Sequence, residues 1–149
     1  MPLSEEGKQI QVVVSYTYNQ GFDETVTTTS IDIPYVDEGQ ASFSIEGTAE
    51  VGETLRVNQT AVDPDGDGEL SYRWQTTTDG AYWTEVGTNA TYEVPLAEEG
   101  KQIKAVVSYK DEQGFNETVV TNSLEIPDFN EGKASFSIDG TAEVGETLR

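Results

Sequence analysis

One feature limits this chain more than any other: it repeats itself at a fixed interval. The segment Glu5 to Tyr16 (EEGKQIQVVVSY) returns as Glu98 to Tyr109 (EEGKQIKAVVSY), and Ala41 to Arg56 returns as Ala134 to Arg149, both displaced by 93 residues. Under that shift Pro2 to Arg56 aligns on Pro95 to Arg149 without a gap, with about seven positions in ten identical, whereas Val57 to Val94 occurs once. A unit of this length exceeds a solenoid turn or a propeller blade and matches an autonomous domain, so the chain reads as a window on a tandem array. Turn and linker chemistry places the boundary near Ala41. Ile33-Pro-Tyr-Val-Asp-Glu-Gly-Gln40 and Ile126-Pro-Asp-Phe-Asn-Glu-Gly-Lys133 each put a proline, acids and a glycine between strand-like segments. On this phase residues 1–40 close a preceding unit, 41–133 form a complete one, and 134–149 open the next. The alternative phase packs Lys8 to Ile33 ahead of Ala41 onward.

Within the complete unit the apolar period is two, clearest where Ile103, Ala105, Val107 and Tyr109 alternate with Lys104, Val106 and Ser108. Further strands are expected at Ala41–Ile45, Glu53–Val62, Leu70–Thr77, Tyr82–Val86, Thr91–Val94 and Glu117–Ile126, seven in all, with glycine-rich turns between them. No stretch carries a helical period. The expectation is an all-β, antiparallel sandwich, with Tyr72 and Trp74 facing Ile103, Val107 and Tyr109 across the core.

Charge and composition then remove whole classes of function. With 28 acidic against 8 basic residues the net charge is -20, which excludes nucleic-acid binding through a basic surface and makes cations the natural partners. The chain has no cysteine and no histidine, so disulfides, thiolate sites and imidazole chemistry are excluded. No apolar run reaches the roughly 18 residues of a membrane span. The opening Met-Pro-Leu-Ser-Glu-Glu lacks the basic and apolar regions of a signal peptide, so the chain is expected to be soluble and to carry no address of its own.

The succession GTAEVGETL, DPDGDGELSYRWQ, DGAYWTEV and ATYEVPLAEEGKQIKAVVSYKDEQG resembles the immunoglobulin-like β-sandwich repeats of very large bacterial surface adhesins, including those of RTX type. The resemblance covers the complete unit and both partial ones. It implies an immunoglobulin-like fold and a secreted, cell-anchored array at the bacterial surface, in which such repeats serve as a stalk, commonly rigidified by calcium.

Two sets of acids are candidate calcium ligands. In Asp63-Pro-Asp65-Gly-Asp67-Gly68 three carboxylates at alternate positions sit in a turn-forming loop, like the first half of an EF-hand loop. Position twelve of such a loop would be Trp74, where no bidentate glutamate stands, and the alternative is a plain polar turn. The second set is the linkers: Asp128 and Glu131, or Asp37 and Glu38, could meet acids at the tip of an adjoining domain, such as Glu98, Glu99, Asp111 or Glu112. A solvated hinge is the alternative. The aromatic residues Tyr82, Trp83 and Tyr92 suggest a rival class, a glycan- or protein-binding adhesive module. No acid pair stands out for catalysis, and no enzymatic activity is expected.

The expected function is therefore a structural extender whose partners are neighbouring repeats of the same chain. Head-to-tail self-association through the partial ends is a further expectation. Neither nucleic acid nor membrane insertion is expected.

Overall fold

A computed structural model describes all 149 residues. The first unit contributes β1 (Gln9–Ile10), β2 (Val13–Thr17), β3 (Asp23–Thr27) and β4 (Ile31–Asp32), with β1 paired to β4 and β2 to β3, both antiparallel. The complete unit comprises β5 (Ser42–Glu46), β6 (Thr54–Ala61), β7 (Ser71–Thr77), β8 (Thr84–Gly87), β9 (Thr91–Glu93), β10 (Gln102–Lys110), β11 (Asn116–Val120) and β12 (Leu124–Glu125). Helical structure is confined to single 3-10 turns at Leu3–Glu5 and Leu96–Glu98. No helix is long and apolar enough to cross a membrane.

Two antiparallel sheets make the sandwich. One has the order β5-β6-β9; the other has the order β11-β10-β7-β8, with β12 continuing along β10. This is the strand arrangement of an immunoglobulin-like fold. Strand β10 is the central plank because its alternation puts Ile103, Ala105, Val107 and Tyr109 on the buried face, while β7 pairs with it from Gln102 to Ser108. The equivalent strand of the first unit has no such neighbour and is broken into β1 and β2, although β1–β4 and β2–β3 keep the registers that β10 makes with β12 and β11.

Two expectations are corrected. Trp74 is directly opposite Ala105, and Tyr72 opposite Val107, in one ladder. Tyr72 and Trp74 therefore lie beside Ile103, Val107 and Tyr109 in the same sheet, and the residues across the core are Leu55 and Phe43 from the facing sheet. The last expected strand is in fact two. At Thr121 the side-chain hydroxyl, not a carbonyl, accepts the Ala105 N–H at 3.0 Å, and this interruption separates β11 from β12.

The core has two adjoining groups. Leu55, Trp74, Val94, Ile103, Ala105 and Ile126 form one, with Tyr92 stacked on Trp74 at 5.8 Å and the indole N–H donated to the Asn89 carbonyl at 2.7 Å. Ala41, Phe43, Val107, Tyr109 and Val119 form the other, next to the linker. In residues 134–149 the counterparts of core positions are exposed, Phe136 at 94%, and Asp139 and Arg149 exchange backbone hydrogen bonds as Glu46 and Arg56 pair in the complete unit.

Candidate metal centre

The loop after β6 is shaped by its own side chains. Asp63 accepts the Asp65 N–H at 2.8 Å, and its carbonyl accepts the Gly66 N–H at 3.0 Å, which closes the turn. Gly66 takes φ +93°, and a Cβ on Gly68 would run into the Lys110 carbonyl oxygen, so the loop lies directly against the end of β10. The two oxygens of Asp67 accept the Asp63 N–H at 2.9 Å and the Gln59 side-chain amide at 3.0 Å. Asp67 thus braces the loop, while Asp63 and Asp65 are buried toward the β10–β11 turn.

That turn presents Asp111, only 4% exposed. Its Oδ1 accepts the Gln113 and Phe115 N–H groups at 2.9 and 2.8 Å; its Oδ2 is buried with no partner. On β11, Glu117 has a buried Oε1, also without a partner. Such orphaned carboxylate oxygens are costly unless a cation takes them.

The linker closes the site from the other side. The Glu38 N–H is donated to Asp65 Oδ2 at 2.6 Å, and the Ala41 N–H to the Tyr109 hydroxyl at 2.7 Å, which in turn donates to Asp63 Oδ2 at 2.6 Å. From the preceding unit Glu6 reaches over, accepting the Val36 N–H and the Gln113 side-chain amide, each at 3.1 Å. Three overlapping trios of acids result, Glu6–Glu38–Asp65, Asp63–Asp65–Asp111 and Asp37–Asp111–Glu117, each with one oxygen per residue all within 4.8 Å of one another.

No positive side chain balances these seven acids. The ion pairs of the molecule are Lys8–Glu5, Arg56–Glu46 and Lys101–Glu98, none of which includes a member of the trios. Two like charges about 4 Å apart repel by roughly 4 kcal/mol at the effective dielectric of a protein surface. The crowding opposes the charge of two of these carboxyls. Desolvation, followed by the Asp37, Asp63 and Asp111 charges and a hydrogen bond shared with Asp37, raises Glu117 above the ordinary carboxylate range. Desolvation and then Asp65 and Glu6 do the same to Glu38. Burial foremost raises the Tyr109 phenol, so its proton stays in place toward Asp63.

Of the acids singled out in the sequence, Asp37, Glu38, Asp63, Asp65 and Asp111 come together here. Asp67 serves the loop. Asp128 and Glu131 lie at the far junction, where the Phe129 N–H is donated to Glu99 at 2.9 Å just as Val36 bonds Glu6 one repeat earlier. Glu98 is held by Lys101 at 3.1 Å. Two members, Glu6 and Glu117, were not among the sequence candidates, although Glu6 is the repeat counterpart of Glu99, which was. The aromatic trio does not form one platform: Tyr82 is 83% exposed, Trp83 lies under the Lys104 ammonium at 4.0 Å, and Tyr92 packs on Trp74.

No family model and no curated protein matches this chain. Among solved structures it is similar to a β-1,2-glucanase from Parabacteroides distasonis, at 16% identity and a TM-score of 0.32, over 76% of this chain and 17% of that one. The chain thus spans less than a fifth of that enzyme, and a likeness this slight bears on neither fold nor chemistry.

Proposed function

We propose that this chain is a stretch of structural extender, a stalk of tandem β-sandwich units in a large secreted bacterial adhesin or surface filament, stiffened by calcium at the joints between units. One observation carries the reading. A cluster of seven carboxylates with buried, unpartnered oxygens draws on the preceding unit (Glu6), the linker (Asp37, Glu38) and the complete unit (Asp63, Asp65, Asp111, Glu117). Calcium suits it best, because that ion accepts six to eight oxygens in irregular geometry, whereas magnesium demands a strict octahedron and keeps its waters.

Within such a centre Asp111 and Glu117 would supply the deepest oxygens, Asp63 and Asp65 the loop side, and Asp37, Glu38 and Glu6 the parts that belong to other segments. The ion would supply positive charge that ties these segments together. Tyr109 positions Asp63 and fixes the end of the linker at once. No catalytic step is needed for this role, and a rigid spacer needs no cleft.

The test is thermal melting of the whole chain in calcium, magnesium and chelator. At a free calcium concentration a hundredfold above its dissociation constant, stability rises by about 2.7 kcal/mol. For a domain of this size that is a shift of roughly 10–20 °C. The same melting temperature in calcium and in chelator would sink the proposal. Sugar-dependent spectral shifts abolished by Trp83→Ala would instead favour an adhesive module.

A further inference from the structure

The three trios are not equivalent, and their differences are those that separate a folding ion from a joint-locking one. The middle trio, Asp63–Asp65–Asp111, comes entirely from the complete unit, and all three residues are buried. The inner trio adds Asp37 of the linker, itself exposed, and contains both orphaned oxygens, Asp111 Oδ2 and Glu117 Oε1. Only the outer trio, Glu6–Glu38–Asp65, reaches the preceding unit. Its Glu38 is exposed and Glu6 half-buried, and both Glu6 oxygens already accept hydrogen bonds.

We infer that the joint loads in stages: cations first fill the inner and middle centres built around buried Asp111, which fold the unit and seat its linker, and only a higher concentration fills the outer centre that locks the preceding unit in line. The inference rests on the calcium reading above. Its physical basis is that the inner and middle centres share the buried Asp111, whose Oδ2 has no protein hydrogen bond to give up for an ion, and that this carboxylate works in a lower dielectric. The outer centre holds no orphaned oxygen, and there an ion competes with water and with the hydrogen bonds on both Glu6 oxygens. Asp65 belongs to the outer and middle trios, and Asp111 to the middle and inner ones, so each early ion also sets a carboxylate in place for the next. Free calcium then controls the stiffness of the stalk over a range in which the units themselves remain folded.

The experiment uses the full chain and calcium itself as probe. Because the protein has no cysteine, the double variant Gln11→Cys with Thr88→Cys accepts one spin label on each side of the joint. Calcium is titrated while two quantities are followed, the melting temperature of the sandwich and the width of the label-to-label distance distribution. The expected result is two midpoints, with the distance narrowing at a calcium concentration roughly tenfold above that which raises the melting temperature. In addition, Glu6→Gln moves the second midpoint upward and leaves the first in place, whereas Asp111→Asn moves the first.

A single shared midpoint, or a Glu6→Gln variant that shifts both, overturns staged loading while calcium stiffening stands. No response in either quantity removes the calcium reading and this inference with it.

Discussion

At the scale of single residues, the decisive groups are carboxyls whose surroundings oppose their charge. Glu117 is raised by desolvation first and then by Asp37, Asp63 and Asp111. The sign follows directly: a carboxyl with a folded value above its unfolded one binds more protons when folded, so the folded state is favoured as pH falls. In chelator, stability is lowest at neutral pH and rises as pH drops through the raised value toward the ordinary range near 4.5, then levels off for this group below that range. Melting temperature against pH in chelator should show this slope, and Glu117→Gln should flatten it. With calcium present the slope should reverse, since protons then displace the ion. A chelated protein that loses stability steadily from pH 7 to pH 5 would contradict the account.

Among the elements, the loop Asp63–Gly68 and the β10–β11 turn matter most, because they bring together acids from distant parts of the chain. Their closeness depends on Gly68, where a Cβ would meet the backbone of Lys110. Gly68→Ala should therefore push the loop off the end of β10. Overpacking of this kind costs about 1–3 kcal/mol, and calcium affinity should fall with it because Asp63 and Asp65 move away from Asp111. A variant that melts lower yet binds calcium with unchanged affinity would show that the loop and the turn are not coupled through this contact.

The strands themselves were largely readable from the chain, since alternation in Ile103, Ala105, Val107 and Tyr109 is a local signal that burial on one face imposes. The pairing of those strands was less so. The assignment of Tyr72 and Trp74 to the opposite sheet failed because period two reports which face a residue takes, not which sheet its strand joins. The break at Thr121 was equally hidden, as a side-chain hydroxyl that replaces a ladder acceptor leaves the hydrophobic pattern unchanged.

For the whole molecule the dominant quantity is the net charge of -20. Self-repulsion on that scale disfavours the compact state and is reduced by salt, whose screening length is about 10 Å at 0.1 M. In chelator the melting temperature should therefore climb with sodium chloride between low and physiological ionic strength. In saturating calcium the climb should shrink, since the densest concentration of negative charge is then neutralised at the joint. Equal salt slopes in both conditions would place the repulsion elsewhere on the surface.

Read alone, the chain of letters determined the 93-residue period, the all-β class, the acidity that makes cations the natural partners and five of the seven acids in the cluster. These follow from signals carried by neighbours in sequence: alternation, turn formers and charge density. Only the tertiary structure decided that Asp111 and Glu117 turn orphaned oxygens inward, that Asp67 serves the loop, and that Glu6 of another unit completes the outer trio. The physical reason is that a cation site depends on distances between oxygens, and those are set by sheet register and by the path of a linker across a joint, neither of which leaves a periodic trace in the sequence.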